Sequence, residues 1–174
     1  MDEKTMQLYD KELGPLARHY AYSFILKPSN RNVWNGLCTM GSGWIWRLIW
    51  WLGGGDRVTK IMTRIFAPSS APALAECRGR LVSLFDALAP RVRARRGRFL
   101  GGDAVGLEDV ALAALAAPVV LPRYYCGGAY AKWFGLLEAQ DAALREELAY
   151  WRGTEVGAYV MGLYAEHRLA GPGK

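Results

Sequence analysis

Apolar side chains recur at intervals of three and four residues through most of this chain of 174 residues. The clearest stripe consists of Met6, Tyr9, Leu13, Leu16, Tyr20 and Phe24. Such spacing places side chains on one face of an α-helix. No segment alternates convincingly with period two, so strands are not expected. The sequence therefore predicts an all-α fold of about six helices around one core, in a single domain over residues 1–174, with 170–174 as a loose tail.

Breaks in this pattern set the expected helix boundaries in the first third of the chain. Over residues 3–26, Pro15 predicts a kink or a break near Gly14. Residues 29–43 mix Asn, Gly and Ser with a few apolar anchors, which favours a connecting loop. Asp56 is a good N-cap for the short amphipathic helix that follows it.

Prolines and charge pairs set the boundaries farther along. Pro90 is expected to bend or end a helix that begins near residue 71, and Pro118 is expected to break the alanine-rich helix of residues 107–117. Residues 138–151 are predicted as one helix, with Asp141 and Arg145 paired one turn apart. A last helix follows Thr154.

The stretch SGWIWRLIWWLGGGDR, residues 42–57, holds four of the seven tryptophans. Its apolar part, residues 44–52, is far shorter than the roughly 20 residues that span a bilayer, and Arg47 lies in its middle. A transmembrane span is therefore excluded for this stretch. Nearly every side of the helical wheel is apolar, which leaves three alternatives: protein core or pocket wall, a partner or dimer surface, or docking at a membrane surface.

The net charge of +6 is concentrated in one region. Residues 57–98 hold ten basic side chains against two acidic ones, so this region is +8 and the remainder is −2. Arg57, Lys60 and Arg64 share one helical face and form the predicted basic surface. This face either is simply solvated or contacts an anionic partner. The arginines near 91–98 lack a nucleic-acid-binding motif and interleaved aromatics, so specific nucleic-acid binding is not expected.

Residue types that carry catalysis are sparse and scattered. No carboxylate or second ligand is spaced to support His19 as a base or haem ligand. Cys38, Cys77 and Cys126 lie far apart, without an activating base or a C-x-x-C pair. We therefore predict no catalytic residue, no metal site and no resident cofactor. The odd number of thiols and the polar, acidic N-terminus favour the cytoplasm or another reducing intracellular compartment.

The stretch FLGGDAVGLEDVALAALAAP, residues 99–118, carries a resemblance. It resembles the C-terminal helical domain of cytosolic glutathione transferases, where an aromatic-Leu-x-Gly lead-in precedes a helix with a hydroxyl N-cap and an aspartate three residues later. Phe99, Leu100, Gly102 and Asp109 match, whereas Gly106 replaces the hydroxyl residue. Residues 10–22 and 146–168 look similar to the first and last helices of that domain.

The local chemistry of this helix start can be predicted in detail. Asp109 is placed to accept a hydrogen bond from the backbone N–H of Gly106 at the N-cap. Val105 and Val110 occupy the positions of a hydrophobic staple.

The resemblance implies a wall of a hydrophobic substrate pocket and part of a dimer interface, and so a possible homodimer. It implies glutathione only if a thioredoxin-like domain is supplied, and no β-α-β pattern of that kind occurs in the sequence. The predicted pocket is lined by Tyr9, Leu13, Leu16, Tyr20, Trp44, Ile45 and Leu48.

Three functions follow as alternatives. The first is a non-catalytic helical module that binds an apolar small molecule, a protein partner or both. The second is the helical half of a glutathione transferase. The third is a structural subunit docked to a larger or membrane-associated assembly.

Overall fold

The computed structural model describes residues 3–68, 70–128 and 131–167, and it confirms the all-α fold class. These residues contain no β-strand, only a single bridge between Phe99 and Gly102. The helices are α1 Glu3–Leu8, α2 Gly14–Ile25, α3 Arg31–Thr39, α4 Trp44–Ile49, α5 Gly55–Phe66, α6 Ala71–Arg93, α7 Leu107–Val120, α8 Ala131–Gln140, α9 Ala142–Gly153 and α10 Glu155–His167. The predicted tail, 170–174, lies outside the described residues.

The hydrogen-bond pattern of the first long helical stretch changes just before Pro15. A π-helical segment, Tyr9–Leu13, joins α1 to α2, and the N–H of Gly14 donates to the carbonyl of Tyr9, five residues back. Pro15 has no N–H and its ring crowds the preceding turn, so a wider turn at this point relieves the conflict. The helix therefore continues through the predicted kink.

Helix α7, the alanine-rich helix, is the central one. It packs against α2 and α10, and both of these also pack against α6. Ala116 and Ala117 on α7 are fully buried, which allows close approach of the neighbouring helices. The largest fully buried side chain in the described residues is Trp151 of α9, whose ring meets Phe85 and Tyr20 edge-on.

The start of α7 has the expected hydrogen bond. The buried carboxylate of Asp109 accepts from the backbone N–H of Gly106 at 2.8 Å and of Leu100 at 2.9 Å. It also accepts from the hydroxyl of Tyr159 on α10. Val105 and Val110, the two predicted hydrophobic-staple positions, both remain exposed and bury little surface.

The loop expected over residues 29–43 is wrong, because residues 31–39 form α3. Burial overrides the weak local helix signal here: Val33 and Trp34 lie in the protein interior. Gly36 lies so close to the ring of Trp133 on α8 that an added Cβ would overlap it at 2.2 Å. Helix α3 is thus held by its contact with α8.

The single helix predicted over 138–151 is also wrong, because Asp141 divides it into α8 and α9. The Asp141 side chain caps α9 by accepting from the N–H of Leu144 at 3.1 Å. It also accepts from Lys27 at 2.9 Å and from Asn30 at 3.0 Å. These partners replace the expected pair with Arg145.

Two prolines do not end their helices. Helix α6 runs through Pro90 as far as Arg93. Helix α7 passes Pro118, contrary to prediction, and ends at Val120 because Leu121 adopts the left-handed conformation with φ 44°.

Helices α4 and α5 form a bent pair. The segment between them, Trp50–Gly54, has non-helical dihedral angles at Leu52 and at Gly53, where φ is 102°. Asp56 lies in the first turn of α5 and does not cap it. We call residues 44–66 the α4–α5 arm. Among the residues that the structure describes, no helix is both long and apolar enough to cross a membrane.

Candidate ligand cavity and exposed tryptophan face

A cavity of about 540 Å³ lies between α2, α3, α7 and the short 3₁₀ segment Tyr125–Gly128. One face of α2 lines it with Gly14, Arg18, Ala21, Tyr22 and Ile25. These positions are separated by three, four or one residues, so they share one side of the helix. Leu37 of α3 and Leu115 of α7 close the apolar sides.

Aromatic rings form much of the cavity wall. Tyr22 meets Trp34 edge-on, with 6.3 Å between ring centroids, and stacks on Phe66 of α5 at 5.2 Å. Tyr125 of the 3₁₀ segment also lines the cavity and stacks on Phe134 with 5.7 Å between ring centroids. Rings held in this way present flat, fixed surfaces to a ligand.

Arg18 is the one permanently charged side chain among the described residues that line the cavity. Its guanidinium carbon lies 5.8 Å from the ring centroid of Phe66. Three other ionisable groups of the cavity stay neutral near pH 7: burial raises the pKa of Cys38 to about 11, and burial also raises the pKa of Tyr22 and of Tyr125. The Cys38 thiol is therefore a poor nucleophile at neutral pH.

Four residues predicted for the pocket lie elsewhere on the first helix. Tyr9, Leu13, Leu16 and Tyr20 are all buried among core side chains. The hydroxyl of Tyr20 donates to Glu147 and accepts from the indole N–H of Trp151 at 3.2 Å. The cavity of about 540 Å³ is lined instead by the adjacent face of α2.

The other three predicted pocket residues are on the surface. Trp44, Ile45 and Leu48 are exposed, and in the described residues they do not line a cavity together with Tyr9, Leu13, Leu16 or Tyr20. The reason is the orientation of α4, which directs Trp46 and Trp50 towards α3. The Trp46 indole donates to the carbonyl of Cys38 at 3.3 Å, and the Trp50 indole donates to Asn35 at 3.0 Å.

The opposite side of this segment is an apolar surface, which we call the outer tryptophan face. It comprises Trp44, Ile45, Leu48, Trp51 and Leu52. Trp51 is 85% exposed, Leu52 78% and Trp44 74%. The spacing of these residues places them together on the helix side away from Trp46 and Trp50. Of the three alternatives for this stretch, protein core therefore does not apply to this face.

Basic residues accompany the outer tryptophan face. Arg47 on α4 and Arg57, Lys60 and Arg64 on α5 are all exposed. In the parts of the chain that the structure describes, none of these four has a carboxylate within ion-pair distance. Asp56, the one acidic residue of the arm, is paired with Arg31.

The arginines near residue 95 have a different environment. Arg91 pairs with Glu108 at 2.8 Å, Arg93 with Glu155 at 3.1 Å and Arg98 with Glu166 at 2.5 Å. The cleft of about 430 Å³ beside Arg93 and Arg98 is therefore lined by charges that already have partners. Within the described residues, no group of three or more His, Cys, Asp or Glu side chains could hold a metal ion.

The cavity was missed in the sequence because its α2 face mixes glycine, alanine and arginine with two large apolar residues. A search for apolar periodicity favours the neighbouring core stripe instead. The exposed arginine at the centre of the cavity face, Arg18, is the signal that could have separated the two faces.

Comparisons of the chain with protein-family models, with curated proteins and with solved structures found no match. The resemblance to the glutathione transferase C-terminal domain remains a prediction that rests on residues 99–118 and the two flanking stretches. The same holds for the alternative in which this chain is the helical half of such an enzyme.

Proposed function

We propose that this chain is a non-catalytic helical module that binds a flat, apolar small molecule with an acidic group. The observation that carries the proposal is the cavity of about 540 Å³ between α2, α3 and α7. Pockets for small molecules occupy roughly 300–1,000 Å³ and combine apolar walls with a few polar groups. The aromatic walls favour a flat ligand, and Arg18 favours an anion.

The protonated states of Cys38, Tyr22 and Tyr125 support binding rather than chemistry. Cys38 with its pKa of about 11 has a negligible thiolate fraction at neutral pH. Burial likewise keeps the hydroxyls of Tyr22 and Tyr125 protonated. His19 lines another depression, between α2, α5 and α6, and cannot act as a base in this cavity.

A pair of naphthalene probes tests both parts of the proposal. 1-Anilinonaphthalene-8-sulfonate is flat and anionic, and N-phenyl-1-naphthylamine has the same rings without the charge. Ala21→Trp places a bulky ring in the cavity, so we expect both probes to bind more weakly by about tenfold or more. Arg18→Ala removes the cation, so only the anionic probe should weaken, by about fivefold.

Two control variants separate the cavity from other apolar surfaces. Ala143→Trp adds the same ring on an exposed position of α9 and should leave both affinities unchanged. Trp51→Ser with Leu52→Ser removes part of the outer tryptophan face and should also leave them unchanged. Probe binding that survives Ala21→Trp but is lost in the Trp51→Ser/Leu52→Ser variant would contradict the proposal.

A further inference from the structure

We infer that the α4–α5 arm docks onto the surface of a membrane that contains anionic lipids. The outer tryptophan face inserts its side chains among the headgroups, and the basic residues of the arm contact the lipid charges. This inference concerns a different surface from the ligand cavity and does not depend on what the cavity binds.

The first observation is the outward direction of the apolar side chains. Trp44, Trp51 and Leu52 are each about three-quarters exposed or more. Their neighbours Trp46 and Trp50 already supply the contacts that attach α4 to α3. The exposed side chains thus have no role in holding the arm, and a contiguous apolar surface of this kind is typical of an interaction site.

The second observation is the positive charge carried by the same α4–α5 arm. Arg47, Arg57, Lys60 and Arg64 are exposed, and the single acidic residue of the arm is neutralised by Arg31. On α5 the basic residues lie beside Ile61 and Ile65, which are both more than half exposed. Apolar and aromatic residues flanked by Lys and Arg are the composition of helices that lie in the membrane interface.

The same charges disfavour a second copy of this chain as the occupant. A two-fold symmetric dimer places the same patch on both subunits, so each set of four basic residues would approach the other set. Like charges across an interface oppose association. An anionic lipid surface instead supplies the opposite charge, and each Lys or Arg near it contributes about 1 kcal/mol.

Tryptophan has a further preference that fits this occupant. Its ring is apolar while its indole N–H needs a hydrogen-bond acceptor, so it concentrates at the boundary between hydrocarbon and water. Trp44 and Trp51 lie seven positions apart on one side of the segment, where both indoles can reach that boundary together.

Co-sedimentation with vesicles tests the inference. The purified chain is mixed with vesicles of phosphatidylcholine and phosphatidylserine, or of phosphatidylcholine alone, at low and at high salt. We expect binding to the anionic vesicles, with a blue shift of tryptophan emission, and much weaker binding to the neutral vesicles or at high salt.

Two variants locate the binding surface. Trp51→Ser with Leu52→Ser removes apolar contact, and Arg57→Glu with Lys60→Glu and Arg64→Glu reverses charge. Each should weaken binding to the anionic vesicles by more than about tenfold, because insertion and charge both contribute. All five positions are exposed, so the melting temperature should stay close to that of the native chain.

Matched controls carry the same changes on other helices and loops. Met6→Ser with Leu107→Ser alters two exposed apolar residues, and Arg96→Glu with Arg123→Glu and Arg145→Glu makes the same change in net charge. Both controls should keep most of the vesicle binding. The inference is overturned if the native chain does not bind anionic vesicles, or if the variants and controls bind equally. It is also overturned if the chain forms a dimer that Trp51→Ser/Leu52→Ser dissociates while vesicle binding is absent.

Discussion

Two tryptophan-containing regions of this protein use the same residue type in opposite ways. Trp151 is fully buried in the helical core, where its ring contacts Tyr20 and Phe85 and its indole N–H donates to the Tyr20 hydroxyl. Trp51 in the α4–α5 arm is 85% exposed. The difference lies in the facing elements, since helices cover Trp151 from several sides whereas α4 is covered only on the side of Trp46 and Trp50.

Charges show the same contrast between the regions. Near the core, Glu147 accepts from Arg78 at 2.9 and 3.0 Å and also from Tyr20. In the arm, Arg57 and Lys60 have no such partner in the described part of the chain. The comparison teaches that a high density of apolar residues does not by itself define a core. Satisfied polar partners beside the apolar residues are the better indication.

The largest expected loss of stability comes from replacing the buried tryptophan of this comparison, Trp151. Trp151→Ala should reduce the free energy of unfolding by about 3–5 kcal/mol, because it leaves a cavity among α2, α6 and α9. It also removes the hydrogen-bond donor to Tyr20. Urea unfolding followed by circular dichroism measures the change. A loss below about 1 kcal/mol would show that the core does not depend on this ring as its burial indicates.

An intermediate effect on stability is expected at Asp141, which links the start of α9 to the segment between α2 and α3. Burial raises the pKa of this carboxyl, but hydrogen bonds from Lys27, Asn30 and the N–H of Leu144 outweigh it and lower the pKa below its usual value. Its stabilisation is therefore complete above the unfolded pKa of about 3.9 and is lost as pH falls through the lower folded pKa.

The Asp141→Asn variant tests whether the folded protein favours the ionised carboxylate of Asp141. The variant should be less stable than the native chain at neutral pH by about 1 kcal/mol, and the difference should shrink as the solution is acidified. Unfolding free energies across an acid titration measure it. A difference that grows on acidification would mean that the folded protein does not favour the ionised carboxylate.

The smallest expected loss of stability comes from replacing the exposed tryptophan of the comparison, Trp51. Trp51→Ala should change the free energy of unfolding by no more than about 0.5 kcal/mol, since its ring is mostly in solvent. Trp50→Ala is the matched control one residue away, and its loss should be clearly larger because Trp50 is buried against Trp46 and Trp34. Equal losses of unfolding free energy in the two variants would contradict the distinction between a buried and an exposed side of this segment.

Much of the fold followed from local pattern. The segments that become α5 and α6 have regular apolar spacing, and the Asp109–Gly106 hydrogen bond at the start of α7 depends only on neighbouring residues. Such features are encoded within one or two turns of helix, so they can be predicted from the sequence.

The helix predictions that were wrong concern segments whose contacts come from residues distant in the sequence. Helix α3 depends on Trp133 of α8, and the break at Asp141 depends on Lys27 and Asn30 of the first part of the chain. Periodicity shows which residues share a face but not which element covers it. For that reason the sequence left open what the tryptophans face, and it placed the predicted pocket on the buried stripe of Tyr9, Leu13, Leu16 and Tyr20 rather than on the adjacent face of α2.

The most direct test of the proposed ligand site is to map where a bound probe lies. Backbone amide chemical shifts of the isotope-labelled chain can be recorded with and without 1-anilinonaphthalene-8-sulfonate. We expect the largest changes around the cavity, at Arg18, Tyr22, Leu37 and Leu115. Changes confined to Trp44, Trp51 and their neighbours on the outer tryptophan face, with none at the cavity, would contradict the proposed function.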